Sequence, residues 1–395
     1  MLIKRMDTTL YYLMLLFALC SNLSDSGTKT ILDIATVLLV VRYMIEPFKI
    51  NLDREIGKAI AFFMGTILLV SFFSYTPMES FDYFETLMAC FAPIILVPFV
   101  IKNKQQLHIL LILMAISVIG SDSYAIWQGI HGDPRPQAFT QNTMNLATIL
   151  VQVIPFFLVL GLKGENTTLT RIFFCSVSLL SVVALIFNAT RGAWVATVVT
   201  LLIYAFIIAK NSSRTLTVIV TILISLSVVT ITVPQIHNRV ESIGDMKGQS
   251  NSERLLLWKS AGQMFYDHPL TGVGFNKFHE LYGSQYVSPL AKEPNLPHAH
   301  NNFMNFLAET GIFGFISFSY LFLTILRNTY RRYATIPHGD AYLAAFLATI
   351  GLLLHGLTEY DLAQKQVMNL YWLIIGIGYC SVQKPLEAPD LDNLE

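Results

Sequence analysis

The stretch IFFCSVSLLSVVALIFNATRGAWVATVVTLLIYAFIIA, residues 172–209, contains two apolar runs around a short turn, and its one charged residue is Arg191. Each run, 172–188 and 193–209, is close to the length at which a helix crosses the hydrocarbon core of a bilayer. A helix satisfies its own backbone hydrogen bonds, so it is stable in lipid, whereas an irregular segment or an open sheet edge would leave polar backbone groups without partners. The stretch therefore predicts a helical hairpin inside a membrane.

The rest of the chain has the same character. Of its 395 residues, 54% are hydrophobic and 13% are charged, whereas about 25% are charged in an average soluble domain. Further apolar runs predict twelve spans: 9–21, 28–45, 56–74, 83–101, 106–128, 141–161, 172–188, 193–209, 215–233, 312–326, 341–357 and 367–382. The predicted fold is thus an all-α polytopic membrane protein, and the composition excludes an ordinary soluble enzyme.

The distribution of basic residues predicts the orientation of these spans. With the N-terminus inside, sixteen Lys and Arg residues fall on inner loops and flanks, and four fall on the short outer loops. The positive-inside rule then makes both termini cytoplasmic. Lys4 and Arg5 ahead of the first apolar run also fit a signal peptide, but no small-residue cleavage site follows, so we interpret the run as a span.

The spans divide the chain into four parts: spans one to nine over 1–233, a periplasmic loop over 234–311, spans ten to twelve over 312–383, and a cytoplasmic tail over 384–395. The loop contains two helix signals. Ser250 and Glu253 have capping-box spacing, which predicts a helix that begins near residue 251 and ends at His268-Pro269. A second helix is predicted to begin just after Pro297 and to end at Gly311.

Charged residues in the apolar part of the chain are predicted to lie at the outer ends of spans: Asp33, Asp82, Glu85, Asp122, Glu359 and Asp361. An ion pump would more often place carboxylates at mid-depth, so the polar chemistry is expected at the outer surface. Equal numbers of basic and acidic residues, 26 each, give no indication of a nucleic-acid partner. The four cysteines lie inside apolar runs without a disulfide or metal pattern and are read as core residues.

Two arginines on the outer side are candidate anion-binding residues. Arg191 lies in the short turn of the hairpin, where a guanidinium would bind phosphate through two hydrogen bonds; the alternative is a lipid-headgroup anchor beside Trp194, a residue suited to the headgroup level. Arg254 is predicted in the first turn of the loop helix, where free backbone N–H groups favour an anion. The alternative there is an exposed side chain paired with Glu253 or Glu241.

The segment PHAHNN, residues 297–302, contains the candidate general base. An ordinary histidine has a pKa of about 6.5, which suits proton abstraction near neutral pH. On the predicted helix, His300 lies near the border of the apolar face and is directed toward a cleft at the membrane. His298 and His300 could instead hold a metal ion, for which no convincing third ligand is evident, or they could be structural or solvated.

These motifs together resemble the bacterial O-antigen ligase family. His300-Asn301, nine further residues and then Gly311-Ile-Phe-Gly314 are similar to the family pattern His-(Asn/Ser/Gln)-x9-Gly-x-x-Gly. Similar family motifs are the Arg-Gly-Ala-Trp turn at Arg191, the run Arg254–Trp258, the run Pro269–Phe275 and the stretch Arg135–Ala147. The likeness covers the whole layout, although its motifs lie in 135–147, 188–194 and 251–314.

The resemblance implies a glycosyltransferase similar to the GT-C class, in the inner membrane of a Gram-negative bacterium. It would move a polysaccharide from undecaprenyl diphosphate to a sugar hydroxyl of lipid A–core on the periplasmic face, with inversion and without a metal or cofactor. The roles it implies are His300 as base and Arg191 and Arg254 as a clamp on the diphosphate. Further candidates for substrate binding are Arg135, His298, Asn301 and Trp194.

Other functions remain open at this point. An O-antigen polymerase would use the same donor with a second lipid-linked repeat as acceptor, and nothing in the sequence identifies the acceptor. A protein O-oligosaccharyltransferase shares the layout but usually has an additional external domain. A non-catalytic transporter is disfavoured because repeated halves and mid-membrane charges are lacking. Membrane lipids are expected partners, and the sequence does not indicate the oligomeric state.

Overall fold

The computed structural model describes residues 1–49, 52–162, 167–209 and 248–380, together with isolated positions between 213 and 241. Within these ranges the regular elements are helices and no strand occurs, which confirms the all-α prediction. The predicted ninth span, the start of the long loop and the tail from 384 onward lie outside the described ranges.

The described helices follow one another in chain order as α1 Leu2–Cys20, α2 Asp25–Ile45, α3 Arg54–Phe72, α4 Pro77–Cys90, α5 Ala92–Val100, α6 Lys104–Ile130, α7 Thr143–Leu162, α8 Thr168–Asn188, α9 Arg191–Ile208, α10 Gln249–Asp267, α11 Phe278–Leu281, α12 Asn302–Thr335, α13 Asp340–His355 and α14 Lys365–Cys380. A π-helical turn, Tyr282–Tyr286, continues α11. Each predicted span inside the described ranges coincides with one helix, or with the pair α4 and α5.

Within the described ranges, seven helical segments are long and apolar enough to cross a membrane: α3, α4 with α5, α6, α7, α8, α9 and α12. The helix α13 is apolar but shorter. The predicted spans at α1, α2 and α14 do not reach this standard, because α14 has only 16 residues and α1 carries Lys4, Arg5 and Asp7. The protein is thus a membrane protein by its helices, and the count of twelve spans stays a prediction.

Two helices form the interior of the bundle. Nearly all residues of α7 and of α14 are buried; α7 packs against α8, α9 and α13, and α14 packs against α5 and α13. Surrounding helices bury one face and expose large apolar side chains on the other, such as Phe206 at 85% and Leu169 at 78%. Water would penalise such exposure and lipid does not, so this surface is the one expected of helices that face a bilayer.

The long helix α12 consists of two helices that meet at Gly311, whose φ of 61° and ψ of −163° are outside the helical region. The predicted helix end at Gly311 is therefore confirmed. The loop after α10 packs on this break: Val273 N and Gly274 N donate to the carbonyls of Ala308 and Glu309, each at 3.0 Å. Carbonyls freed by the break are thereby satisfied, and the loop is held against the membrane helices.

The start of α10 differs from the prediction. The helix begins at Gln249, and its N-cap is Gly248, which has no side chain to form a capping bond. The prediction of a capping box at Ser250 is therefore wrong. Glu253 instead turns away and accepts a hydrogen bond from the backbone N–H of Lys292 at 2.8 Å. The predicted end of this helix before His268 is confirmed.

The helix expected just after Pro297 begins five residues later, at Asn302. Asn301 is its N-cap, because its side-chain oxygen accepts from the backbone N–H groups of Phe303 and Met304 at 2.9 and 3.0 Å. His300 has a φ of 46°, in the left-handed region, so it cannot continue the helix. The predicted helical face for His300 is therefore wrong, and the histidine lies in a turn ahead of the helix.

Candidate functional site

The candidate site lies at the end of the bundle where the turns before α7, α9, α12 and α14 meet. Asn188, the last residue of α8, ties two of these turns together. Its buried side-chain amide donates to the carbonyls of Pro136 and Thr143 at 3.0 and 2.9 Å. The segment that carries Arg135 is thereby fixed beside the turn that carries Arg191.

The turn between α8 and α9 contains only two residues. Ala189 ends α8 with a φ of 56°, and Arg191 is the first residue of α9, as the short turn predicted. A Cβ atom at Gly192 would collide with the side chain of Thr358. Glycine at this position therefore lets the start of α9 approach the segment between α13 and α14.

The segment 300–302 docks on that same connection. The backbone N–H of Asn302 donates to the Gly356 carbonyl at 2.7 Å, and its side-chain oxygen accepts from the Asp361 N–H at 2.8 Å. The Asn301 amide donates to the Leu357 carbonyl at 2.9 Å. These bonds place His300 directly opposite Glu359.

The three predicted arginines line one cleft, which encloses about 340 Å³ including space open to solvent. Its walls are formed by Arg135, Met144, Thr190, Arg191, Gly192, Ser250, Arg254, His355 and Thr358. Arg254 lies in the second turn of α10 and not the first, since the helix begins earlier than predicted. Arg254 therefore contributes its guanidinium group to the cleft, and its own backbone N–H is not one of the free groups at the start of α10.

The cleft is electrostatically suited to an anion. Burial lowers the pKa of Arg254; Glu359 acts against this, whereas the charges of Arg191 and Arg135 lower the pKa further. Burial likewise lowers the pKa of Arg135, with Glu359 opposing and Arg191 adding to the shift. Among the described residues, Arg254 has no hydrogen-bond or ion-pair partner. Such a group of cations is stabilised by a bound anion, and guanidinium geometry favours phosphate.

A histidine–carboxylate pair borders the cleft. Nδ1 of His300 lies 2.9 and 3.0 Å from the two carboxylate oxygens of Glu359, and Thr358 of the cleft wall precedes this glutamate. Burial alone would raise the pKa of Glu359, but the His300 hydrogen bond and the charges of three nearby histidines lower it to about 2. The ionised carboxylate can only accept, so Nδ1 donates and Nε2 of His300 keeps its lone pair.

His298 occupies a different position from His300. Its Nδ1 accepts the backbone N–H of His300 at 3.3 Å, and its Nε2 is 3.7 Å from Glu359. Burial lowers the pKa of His298 to about 4, with Glu359 opposing and His300 adding to the shift. His298 is therefore a neutral side chain that steadies the pair. Ligand atoms of His298, His300 and Glu359 lie within 4.8 Å of one another, so they could also hold a metal ion.

Three predicted substrate-binding residues, His298, Asn301 and Trp194, are not among those that line the cleft. Trp194 donates from its indole N–H to the Leu185 carbonyl at 2.9 Å, and the Asn301 amide is used for the helix cap and for Leu357. Conversely, Glu359, His355 and Asp361 were not singled out as site residues. The acidic pair at the outer end of a span was the available signal, but its proximity to His300 depends on tertiary contacts.

Fold and site together define an all-helical membrane protein with a cationic cleft beside a buried histidine–carboxylate pair. Residues 176–319 match the family model described as O-antigen ligase, which confirms the resemblance found in the sequence. The matched segment contains Arg191, Arg254, His298 and His300, whereas Arg135 and Glu359 lie outside it. Proteins of this family are membrane enzymes of polysaccharide biosynthesis. No curated protein matches the chain at a significant level.

Proposed function

We propose that the protein transfers a polysaccharide from undecaprenyl diphosphate to a sugar hydroxyl of lipid A–core. The observation that carries the proposal is the cleft lined by Arg135, Arg191 and Arg254, which borders the His300–Glu359 pair. This transfer requires a base for the acceptor hydroxyl and positive charge for the departing diphosphate. Both requirements have a matching group within one site.

The arginines bind the diphosphate of the donor. The diphosphate carries about two negative charges before transfer and gains another as the bond to the sugar breaks. Guanidinium groups do not lose their charge and form paired hydrogen bonds with phosphate oxygens. In a partly desolvated cleft this attraction is stronger than in water, so the cluster stabilises the leaving group in the transition state.

His300 is the general base. Its Nε2 accepts the proton of the acceptor hydroxyl as the hydroxyl oxygen attacks the anomeric carbon from the face opposite the diphosphate, which inverts the configuration. Glu359 holds the ring through Nδ1 and stabilises the imidazolium that forms. His298 and Asn301 position this pair, and no metal takes part.

The bias of basic residues toward the other side of the membrane supports a site on the periplasmic face. That side is where lipid-linked polysaccharide and lipid A–core would both be available. In this arrangement Trp194 and the exposed apolar surface contact membrane lipid. The proposal keeps both termini in the cytoplasm.

The lipopolysaccharide of a strain that lacks the gene tests the acceptor. A ligase leaves bare lipid A–core and polymer on the carrier lipid, and plasmid-borne wild type restores the ladder while the Arg191→Ala variant does not. Lipid A–core that carries a single repeat would identify a polymerase and overturn the assigned acceptor. An unchanged ladder would overturn the function.

A further inference from the structure

A histidine other than the His300 base lies in the wall of the arginine cleft itself. His355 is the last residue of α13 and is completely buried. Its Nδ1 lies 3.2 and 3.1 Å from the two carboxylate oxygens of Asp361. Thr148 from α7 donates to the same carboxylate at 2.6 Å. A buried carboxylate thus fixes the orientation of this ring, as Glu359 does for His300.

The other nitrogen of His355, Nε2, is buried and forms no hydrogen bond with any residue that the structure describes. Asp361 faces Nδ1, and the ring lines the cleft together with Arg191 and Arg254. Buried polar atoms are nearly always satisfied in folded proteins, so this nitrogen indicates a ligand in the cleft.

We propose that His355 is a general acid that gives a proton from Nε2 to the diphosphate leaving group. The inference rests on the proposed function, because it assigns a role to the leaving group of that reaction. Since the Asp361 carboxylate accepts from Nδ1, a ring that also donates from Nε2 carries both protons. The imidazolium then lies between the carboxylate and a phosphate oxygen, a geometry that stabilises both contacts.

The two histidines together balance the reaction. The acceptor oxygen forms a bond to the anomeric carbon while the bond from that carbon to the β-phosphate oxygen breaks, and its electron pair remains on the phosphate. The hydroxyl proton goes to Nε2 of His300. The Nε2 proton of His355 goes to the departing phosphate, so the leaving group does not accumulate a further negative charge.

The charges around His355 couple its proton to the donor. The Asp361 carboxylate next to Nδ1 stabilises the imidazolium, whereas the guanidinium groups of Arg135, Arg191 and Arg254 in the same cleft destabilise it. A bound diphosphate offsets the arginine charges. The imidazolium is therefore favoured when the donor is present, which prepares the acid for the step that needs it.

Two substitutions separate the functions of the ring. The His355→Asn variant keeps a polar group near Nδ1 for Asp361 and loses the group at Nε2. The His355→Gln variant places an amide near Nε2, where it can contact phosphate but cannot release a proton. The His108→Gln variant is the matched control, because His108 lies at the start of α6, away from the cleft. Each full-length protein is purified in lipid nanodiscs and assayed with lipid-linked donor and lipid A–core.

The wild type should lose activity at alkaline pH as His355 loses its proton. The His355→Gln variant should transfer about 10²-fold more slowly and should no longer show the alkaline decline. Asp361→Asn should move that decline to lower pH, and it tests the proposal even where the His355 variants fold poorly. Wild-type rates in His355→Gln, or a slower rate with an unchanged pH profile, would overturn the assignment.

Binding of inorganic pyrophosphate gives a readout independent of turnover. It should weaken about tenfold in His355→Asn and remain near the wild-type value in His355→Gln and His108→Gln. If the wild type does not transfer glycan at all, the proposed function is overturned. Weaker pyrophosphate binding in His355→Asn alone would even then identify a phosphate contact at His355. Equal pyrophosphate binding by wild type and His355→Asn overturns that contact in either case.

Discussion

Nδ1 of His300 lies 2.9 Å from a carboxylate oxygen of Glu359, although 59 positions of sequence separate the two residues. One comes from the turn ahead of α12 and the other from the connection between α13 and α14. The contact sets the tautomer of the histidine and supplies a fixed negative charge beside it. Glu359 thereby orients His300 to act as a base at the edge of the cationic cleft.

Replacing Glu359 by Gln should slow transfer about 10²-fold. The pKa of Glu359 is about 2, so the carboxylate is ionised across the working range and stabilises the imidazolium that forms as His300 takes the hydroxyl proton. Glutamine can still contact the ring of His300 but lacks the negative charge, so the transition state is less stable. The measurement is the initial rate of transfer between pH 5 and 8.

His298→Asn is the control for this prediction. The pKa of His298 is about 4, so the side chain is neutral above pH 5 and does not titrate in the measured range. The variant should lower the rate only modestly across this range. If Glu359→Gln transfers at the wild-type rate, or His298→Asn is slowed as much as Glu359→Gln, the assignment of the pair is contradicted.

Arg191→Lys should lose most transfer activity even though it keeps the charge. Lysine lacks the planar group that holds two phosphate oxygens at once. Arg191→Ala should abolish transfer at normal abundance in the membrane, and donor binding should weaken in both variants. Arg327→Lys, an exposed position of α12, is the matched control; normal transfer by Arg191→Ala would support the lipid-anchor alternative.

Gly311→Ala should destabilise the protein by about 3 kcal/mol or more, since the added Cβ meets the Leu270 backbone and the combination of φ 61° with ψ −163° suits only glycine. Gly262→Ala in α10 is the control, because no atom lies within 4 Å of its Cβ position and alanine favours a helix. Thermal unfolding in detergent compares the two variants. Equal unfolding temperatures would show that the break in α12 is not needed for stability.

Orientation is tested by cysteine labelling in a variant without the four native cysteines. Ser250 and Ser284 lie on the long loop, and Thr335 is exposed at the far end of α12. Cysteines at the two serines should react with a membrane-impermeant maleimide in intact spheroplasts, whereas one at Thr335 should react only after lysis. The reverse pattern would place the cleft in the cytoplasm and contradict the proposed substrates.

The positions of the helices could be predicted from the sequence because long apolar runs report directly on a lipid environment. Arg191 and Arg254 could be singled out because each charge stands next to an apolar run. The start of α12 differs from the prediction, since proline at 297 is a general helix signal whereas the Asn301 cap depends on local geometry. Glu359 and His355 were missed as site residues because only folding brings α13 beside the α8–α9 turn.

The central claim is that His300 acts as a base held by Glu359, and purified protein with both lipid substrates tests it most directly. Transfer by the wild type should require no nucleotide and should be unaffected by EDTA. His300→Ala should reduce transfer by about 10²–10⁴-fold while donor binding stays near the wild-type value, because the arginines hold the diphosphate. Activity that EDTA abolishes, with His298 and His300 equally essential, would contradict this account and identify His298, His300 and Glu359 as a metal site.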